Sequence, residues 1–174
     1  KELIKLLADL PGTYNLYNLT AASALASVLK ISKTAVIKGV NNFKPAFGRV
    51  EKIKIGNKTL NIFLVKNPTG FNEVIKTLTS NYHTTVRGSY LNCLIAINDL
   101  IADGTDVSWL WDVNFEKLVP HLKSVIVSGT RAYDMALRLK YSNETMIQLS
   151  NETIIEPNLK KAVKKRINRG DARR

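Results

Sequence analysis

Apolar residues in the first part of the chain recur at the three- and four-residue spacing of a helix. This spacing over residues 21–29 predicts one helix, and either Asn15 or Asn18 can cap its N-terminus. A second, shorter helix is predicted over residues 32–42, with the side chain of Ser32 as its cap. The first part of the chain is therefore expected to be helical.

From residue 50 the pattern changes to the alternation of β-strands. Residues 50–55 and 59–65 predict two strands joined by a turn at Gly56-Asn57. Later strands are apolar at nearly every position and alternate with helices. These strands are predicted over 90–97, 124–127, 146–149 and 153–155, and the helices over 71–81, 115–118, 131–141 and 157–167. Such alternation indicates an α/β fold with a Rossmann-like, mainly parallel sheet and helices on both faces.

Ligands bind at the carboxyl ends of the strands in such sheets. The loops expected at this edge are residues 66–70, 98–112 and 128–131. Lys66 and Arg131 each lie at the start of a predicted helix, where backbone N–H groups attract anions. Asn67 and Pro68 fit a simple turn equally well, so the first loop has a structural and a functional interpretation.

The loop over residues 98–112 contains four of the 14 acidic residues of the chain. Asp112 can cap the following short helix, whereas Asp106 has no evident capping role. A divalent cation is the weaker interpretation, because the spacing of a calcium loop is absent. Trp109 and Trp111 are more typical of a core, but beside charged residues one of them can anchor an interface. We therefore expect Asp106 to act on something outside its own loop.

Composition is that of a soluble globular protein, with 45% apolar and 23% charged residues among 174. No apolar run approaches the ~20 residues of a membrane span, and the first residues lack the pattern of a signal peptide. The single Cys93 lies in a predicted strand and is expected to be an inert core thiol of a cytoplasmic protein. The sequence does not begin with Met, so we expect it to be cut from a longer chain.

The net charge of +12 is concentrated near the end of the chain. Residues 160–174 hold eight basic residues and one acid. Such a segment can bind nucleic acid or an anionic surface, or it can be the solvated face of a helix. We favour the solvated helix and expect no nucleic-acid partner, because aromatic and basic residues are not interleaved elsewhere.

Several motifs resemble those of the Mur ligases. Tyr14-Asn15-Leu-Tyr17-Asn18-x-x-Ala21-Ala22 and Phe47-Gly48-Arg49-x-Glu51 resemble the end of their central domain and its joint to the C-terminal domain. Three longer motifs, over residues 64–73, 98–112 and 128–141, are similar to the MurT branch in particular. The resemblance covers roughly residues 10 to 160, and it places the end of the central ATPase domain at 1–46 and a truncated MurT-type α/β domain at 47–174.

The resemblance implies a ligase with a partner. MurT proteins are the ligase-like subunit of lipid II isoglutaminyl synthase, which uses ATP to activate the α-carboxyl of D-glutamate in the lipid II stem peptide. A GatD-type glutamine amidotransferase supplies ammonia, and lipid II is bound at the membrane surface. The aspartate before Val-Ser-Trp, here Asp106, corresponds to the residue expected to complete the Cys–His pair of that partner.

The same resemblance assigns the remaining site residues. Asn15, Asn18 and Arg49 are expected near the nucleotide. Lys66, Asn67 and Arg131 are expected to line the cleft that closes on ATP and substrate. No Gly-x-x-x-x-Gly-Lys-Ser/Thr loop occurs here, so ATP and Mg²⁺ are expected to bind mainly to an upstream domain, which can also hold zinc. No metal ligands are assigned, and this chain alone is expected to be inactive.

Two other functions stay open. The first is the C-terminal domain of an ordinary Mur ligase, which adds an amino acid and needs no partner. The second is a basic module that binds nucleic acid or an anionic surface through residues 160–174. The role of Asp106 separates the first of these from the MurT interpretation.

Overall fold

The protein is described by a computed structural model, which covers residues 5–8, 10, 12–43, 49–80, 91–142 and 153–169, with residues 49 and 50 described by their backbone alone. The chain divides into two compact units, residues 1–65 and residues 66–174. The predicted strand over 146–149 lies outside the described residues.

The first unit contains two helices and a β-hairpin. The helices are α1 (Thr13–Val28) and α2 (Lys33–Asn41), and the antiparallel strands are β1 (Arg49–Ile55) and β2 (Lys58–Phe63). The predicted hairpin is confirmed, as is the cap of α2, where the Ser32 hydroxyl accepts a hydrogen bond from the Ala35 amide at 3.3 Å. The predicted cap of α1 is wrong. This helix begins at Thr13 after Gly12, so Asn15 and Asn18 lie inside it.

The second unit is the predicted α/β domain. Its elements are α3 (Pro68–Thr79), β3 (Leu91–Ala96), a 3₁₀ helix (Ser108–Asp112), α4 (Phe115–Leu118), a second 3₁₀ turn (Val119–His121), β4 (Leu122–Ser128), α5 (Ala132–Tyr141), β5 (Thr153–Ile155) and α6 (Leu159–Arg169). The three strands form a parallel sheet in the order β3-β4-β5. Each predicted strand and helix of this unit that falls on described residues is present, with ends that differ from the prediction by at most three residues.

The central strand β4 shows that the sheet is covered on both sides. Val125, Ile126, Val127 and Ser128 are each no more than 1% exposed. Because neighbouring residues of a strand point to opposite faces, four consecutive buried positions need a cover on each face. The predicted Rossmann-like class is therefore confirmed.

Gly129 joins the ends of β3 and β4 at the carboxyl edge of the sheet. Its φ of +91° belongs to a region that side chains rarely adopt, and an added Cβ would lie 2.2 Å from the carbonyl oxygen of Ile97. The Arg131 amide also donates to that carbonyl at 3.0 Å. This close approach fixes the loop after β3 against the loop after β4.

The basic helix α6 packs on the sheet. Ala162 is fully buried, Arg166 donates to the Ser124 hydroxyl at 2.8 Å, and Lys165 forms an ion pair with Glu156. These contacts support the solvated-helix interpretation for the described part of the basic segment. Among the residues with described positions, no helix is long and apolar enough to cross a membrane.

Candidate functional site

Asp106 lies exposed on the loop that follows β3, directly before the 3₁₀ helix. Its Oδ1 accepts a hydrogen bond from the Ser108 amide at 2.8 Å, and its Oδ2 accepts one from the Ser108 hydroxyl at 3.0 Å. Asp106 is not the N-cap of the 3₁₀ helix, which is Val107, but it has a local structural role with Ser108 that the sequence analysis did not predict. An aspartate two residues before a serine forms a local turn of this kind, and that spacing was visible in the sequence.

The two hydrogen bonds keep Asp106 ionised and orient it. The amide of Ser108, with its hydroxyl second, lowers the pKa of the Asp106 carboxyl below its ordinary value. A carboxylate offers about four lone-pair positions, and Ser108 uses only two of them. Asp106 can therefore still accept a hydrogen bond from a donor outside the chain.

A pocket of about 350 Å³ opens beside Asp106. The residues around it come from the acidic loop, the 3₁₀ helix and the first two turns of α5, and include Leu110, Trp111, Arg131 and Leu137. The carboxylate of Asp106 and the guanidinium of Arg131 thus share one pocket. The lining combines apolar side chains with the charged side chains of Asp106, Arg131 and Asp134.

Arg131 is held between two aspartates at this pocket. Its Nη1 lies 3.4 Å from Asp99 Oδ2, and its Nε lies 2.9 Å from Asp134 Oδ2. The Thr130 hydroxyl donates to Asp99 Oδ1 at 2.7 Å, and this bond, more than Arg131, lowers the pKa of the Asp99 carboxyl. The Asn98 side chain accepts from the Thr130 amide at 3.1 Å. Arg131 therefore has a fixed position, while its assignment to a substrate cleft stays a prediction.

Arg138 holds the segment that follows Asp106 by hydrogen bonds to its backbone. The sequence analysis did not assign a role to this arginine. Although charged, it is 5% exposed and donates to the carbonyl oxygens of Leu110 at 3.1 Å and Val113 at 2.6 Å. Its Nη1 also forms an ion pair with Glu116 at 2.8 Å. Because both carbonyls belong to the segment that carries Trp111, this arginine fixes the segment that follows Asp106. An arginine late in a helix reads as a surface residue, so only its partners reveal this role.

Lys66 and Asn67 lie outside the lining of the pocket. The Asn67 side chain caps α3 by accepting from the Gly70 amide at 2.8 Å, with Pro68 in the first turn. The interpretation of this loop as a turn that begins a helix is thus confirmed. The structure brings neither residue together with Arg131, and their place in a substrate cleft stays a prediction.

The residues expected at the nucleotide belong to the first unit. Asn15 and Asn18 lie three positions apart on α1, and Arg49 begins β1, where only its backbone is described. Their role at ATP stays a prediction. Among the residues that the structure describes, no group of three or more His, Cys, Asp and Glu side chains could hold a metal ion. Burial raises the pKa of the Cys93 thiol to about 11, which suits the inert role expected of it.

Comparison with known proteins identifies the family. Residues 64–173 match the family model described as MurT ligase C-terminal. This match covers more than half of the chain and includes all described residues of the α/β unit, among them Asp106, Arg131 and Arg138. The chain belongs to the MurT ligase C-terminal family. The match to the family begins at residue 64, close to the division between the two compact units. The domain boundary predicted between residues 46 and 47 stays a prediction.

Two curated relatives of this MurT domain are bacterial. Each is named lipid II isoglutaminyl synthase (glutamine-hydrolyzing) subunit MurT. The protein of Streptococcus pneumoniae is 31% identical over 144 residues, which cover 80% of this chain and 31% of that protein. The protein of Staphylococcus aureus is 32% identical over 155 residues, which cover 88% of this chain and 33% of that protein. The chain thus spans about a third of the length of the curated relatives that it matches.

Solved structures show the same fold. The folylpolyglutamate synthase of Mycobacterium tuberculosis complexed with ADP and AMPPCP matches with a TM-score of 0.65 and 19% identity. The match covers 95% of this chain and 35% of that one. At this identity the likeness bears on the fold alone, and it agrees with the α/β architecture of the MurT domain.

Proposed function

We propose that this chain is the C-terminal part of the ligase subunit of a lipid II isoglutaminyl synthase. The whole enzyme uses ATP to activate the α-carboxyl of D-glutamate in the lipid II stem peptide and replaces the phosphate with ammonia, forming D-isoglutamine. A GatD-type glutamine amidotransferase releases that ammonia from glutamine. The observation that carries the proposal is Asp106, an exposed carboxylate at the rim of a pocket with lone pairs still available.

Asp106 acts on a histidine of the partner. Its carboxylate accepts a hydrogen bond from one imidazole N–H, so the other nitrogen is unprotonated and can take the proton of the partner's cysteine thiol. The thiolate attacks the side-chain amide carbon of glutamine, the imidazolium returns the proton to the departing ammonia, and water hydrolyses the thioester. Throughout, Asp106 stabilises the imidazolium, and its lowered pKa keeps it charged for this task.

Ser108 holds Asp106 in place for this role. Its amide and hydroxyl bind one oxygen each, which fixes the plane of the carboxylate while leaving each oxygen a further acceptor position. The backbone bonds of Arg138 hold the 3₁₀ helix that begins at Ser108. The partner's histidine therefore meets a carboxylate that is oriented before the two subunits associate.

ATP and substrate complete the proposal. Asn15, Asn18 and Arg49 would contact the nucleotide, and Lys66, Asn67 and Arg131 would line the cleft that closes on ATP and the stem peptide. Amide and cationic side chains suit polyphosphate and carboxylate oxygens, which accept hydrogen bonds. Mg²⁺ accompanies ATP in this proposal. The zinc that the resemblance allows in an upstream domain is not part of this proposal.

The test is Asp106→Asn in the natural full-length protein, assayed together with the amidotransferase. We expect glutamine hydrolysis to fall by about 10³- to 10⁴-fold, since the amide removes the charge that stabilises the imidazolium. We expect the affinity of the two subunits to change little, because the substitution preserves the shape of the side chain. Ammonia production and a binding isotherm measure the two effects.

Asp103→Asn is the matched control, because Asp103 is an exposed acid of the same loop that does not line the pocket. It should leave glutamine hydrolysis within about twofold of the unaltered protein, as a surface substitution usually does. Full hydrolysis by the Asp106→Asn protein would contradict the proposal. That result would favour an ordinary Mur ligase domain, in which Asp106 serves only the turn with Ser108.

A further inference from the structure

The outer face of α5 carries an apolar stripe. Tyr133, Leu137 and Tyr141 follow one another at four-residue spacing, and they are 67%, 46% and 66% exposed. Residues four apart share one face of a helix, so the three side chains form a continuous surface. Among the residues that the structure describes, the core of the α/β unit uses the opposite face of α5, with Met135 and Leu139 buried. We call Tyr133, Leu137 and Tyr141 the outer stripe.

Trp111 extends the outer stripe. Its side chain belongs to a residue that is 54% exposed, and its ring lies 6.0 Å from the ring of Tyr141. The guanidinium of the buried Arg138 lies 5.4 Å from the same ring. Trp111 is therefore held between a neighbour in the stripe and a fixed cation, so it loses little side-chain entropy when a partner covers it. Exposed, positioned Trp and Tyr side chains are typical of the residues that dominate binding energies at interfaces.

The stripe continues into the pocket of Asp106. Leu137 and Trp111 belong both to the apolar surface and to the pocket lining. A protein that covers the outer stripe would therefore also reach Asp106. The position of the stripe thus connects an apolar contact area with the one carboxylate that the proposed function assigns to a partner.

Local charge indicates the kind of partner. The chain as a whole is strongly basic, yet Asp106 and Asp112, on the segment that carries Trp111, are both exposed. The nearby Arg131 is neutralised by Asp99 and Asp134. A complementary surface has an apolar centre and a basic or histidine-bearing rim, whereas two copies of this chain paired symmetrically through this surface would bring the same acids against each other.

We propose that the outer stripe and Trp111 form the docking surface for the glutamine amidotransferase subunit, whose histidine they deliver to Asp106. This inference rests on the proposed function, and it adds the contact area that the function requires. The apolar contacts provide affinity, and the acidic loop orients the basic rim of the partner. Binding and catalysis are thus assigned to different side chains of one surface.

The experiment compares two leucines of nearly equal exposure. Leu137 on α5 is 46% exposed and Leu159 on α6 is 47% exposed, and each is replaced by Glu in the natural full-length protein. We expect Leu137→Glu to weaken binding of the GatD-type amidotransferase at least about 30-fold, as for a central interface residue. Leu159→Glu should change the affinity less than about threefold. Calorimetric titration measures both affinities, and circular dichroism checks that each variant is folded.

A second variant covers the case in which Leu137→Glu does not fold. Tyr133 is two-thirds exposed, so Tyr133→Ala removes contact area with little effect on folding. We expect this variant to bind the amidotransferase about tenfold more weakly. Unchanged affinity in the folded variants would overturn the docking surface. So would loss of self-association in a sedimentation experiment without any loss of amidotransferase binding, because the occupant would then be a second copy.

Glutamine hydrolysis separates this inference from the proposed function. With increasing amidotransferase, activity of the Leu137→Glu protein should recover, because Asp106 is intact, whereas that of the Asp106→Asn protein should not. Weakened binding by Leu137→Glu together with an active Asp106→Asn protein would retain the docking surface and remove the role of Asp106. A failure of the unaltered protein to bind the amidotransferase would overturn both.

Discussion

Helix α5 turns one face to the core and the other to solvent, and apolar side chains occupy both. Met135 and Leu139 on the inner face are no more than 2% exposed, while Leu137 and Tyr141 on the outer face are about half exposed or more. A surface helix ordinarily has one apolar stripe, and a helix that is apolar on several faces is ordinarily buried. The second stripe of α5 thus has the character of a surface that is covered in the working assembly.

The two arginines of this region show the same contrast. Arg138 is buried and donates to backbone carbonyls, whereas Arg131, seven residues earlier, is 36% exposed at its side chain and lies between two aspartates. Loss of a buried charged partner leaves desolvated groups unsatisfied, while an exposed ion pair contributes little because water replaces it. The inner face therefore determines stability, and the outer face is available for association.

The largest effect is expected for Arg138→Met. The methionine fills part of the volume, but it removes the charged donor from the carbonyls of Leu110 and Val113, which retain one backbone donor each, and both of those residues are 1% exposed. It also removes the ion-pair partner of Glu116. We expect the free energy of unfolding to fall by about 3–5 kcal/mol. Urea denaturation followed by tryptophan fluorescence measures it, since both tryptophans, Trp109 and Trp111, lie in the 3₁₀ helix that Arg138 holds.

Arg131→Met is the control for Arg138→Met. Its ion pairs with Asp99 and Asp134 are partly exposed, so the free energy of unfolding should change by less than about 1 kcal/mol. Equal losses in the two variants would show that the buried arginine and the partly exposed arginine do not differ in the way described.

The fold could be predicted from the sequence because its signals are local. Alternation over residues 50–55, the Gly56-Asn57 turn and the Ser32 cap each depend on a few neighbouring residues. The start of α1 could not be predicted, because the helix begins at Thr13, two residues before Asn15, the first of the two asparagines proposed as its cap. Helix ends depend on backbone conformation at one or two residues, which periodicity does not specify.

The candidate site also contains features that local sequence signals predict and features that they do not. Asp106 could be singled out from the sequence as a candidate site residue. Its hydrogen bond with Ser108 was not predicted, although an aspartate two residues before a serine is a local signal for such a bond. The role of Arg138 could not be found, because its ion-pair partner Glu116 lies 22 residues earlier in the chain. Burial of a charge is a property of tertiary packing, and the spacing of residues in α5 does not reveal it.

A smaller effect is expected when leucine is truncated on each face of α5. Leu139→Ala removes a side chain that is 2% exposed, and we expect the free energy of unfolding to fall by about 2–4 kcal/mol, from lost burial and the cavity that remains. Leu137→Ala should cost less than about 1 kcal/mol, because that leucine is 46% exposed. Urea midpoints of the two variants measure the difference. A loss for Leu137→Ala as large as that for Leu139→Ala would mean that the outer stripe belongs to the core.

The smallest effect concerns Glu116, the acidic partner of Arg138. The hydrogen bond from Arg138 lowers the pKa of the Glu116 carboxyl below its ordinary value of 4.5. A carboxyl whose pKa is lower in the folded state adds stability above its unfolded pKa, and this stability is lost as the pH falls through the folded pKa. Because the Glu116 side chain is 44% exposed, Glu116→Gln should cost only about 1 kcal/mol at pH 7.

The pH dependence identifies the source of that cost. The difference in the free energy of unfolding between the unaltered protein and Glu116→Gln should be constant above about pH 6 and shrink as the pH falls below 4.5, where the unfolded carboxyl is protonated. Asp103→Gln, at an exposed acid of the loop, should show a smaller difference at pH 7. A difference for Glu116→Gln that persists unchanged at pH 3 would mean that packing, rather than charge, connects Glu116 to the buried face of α5.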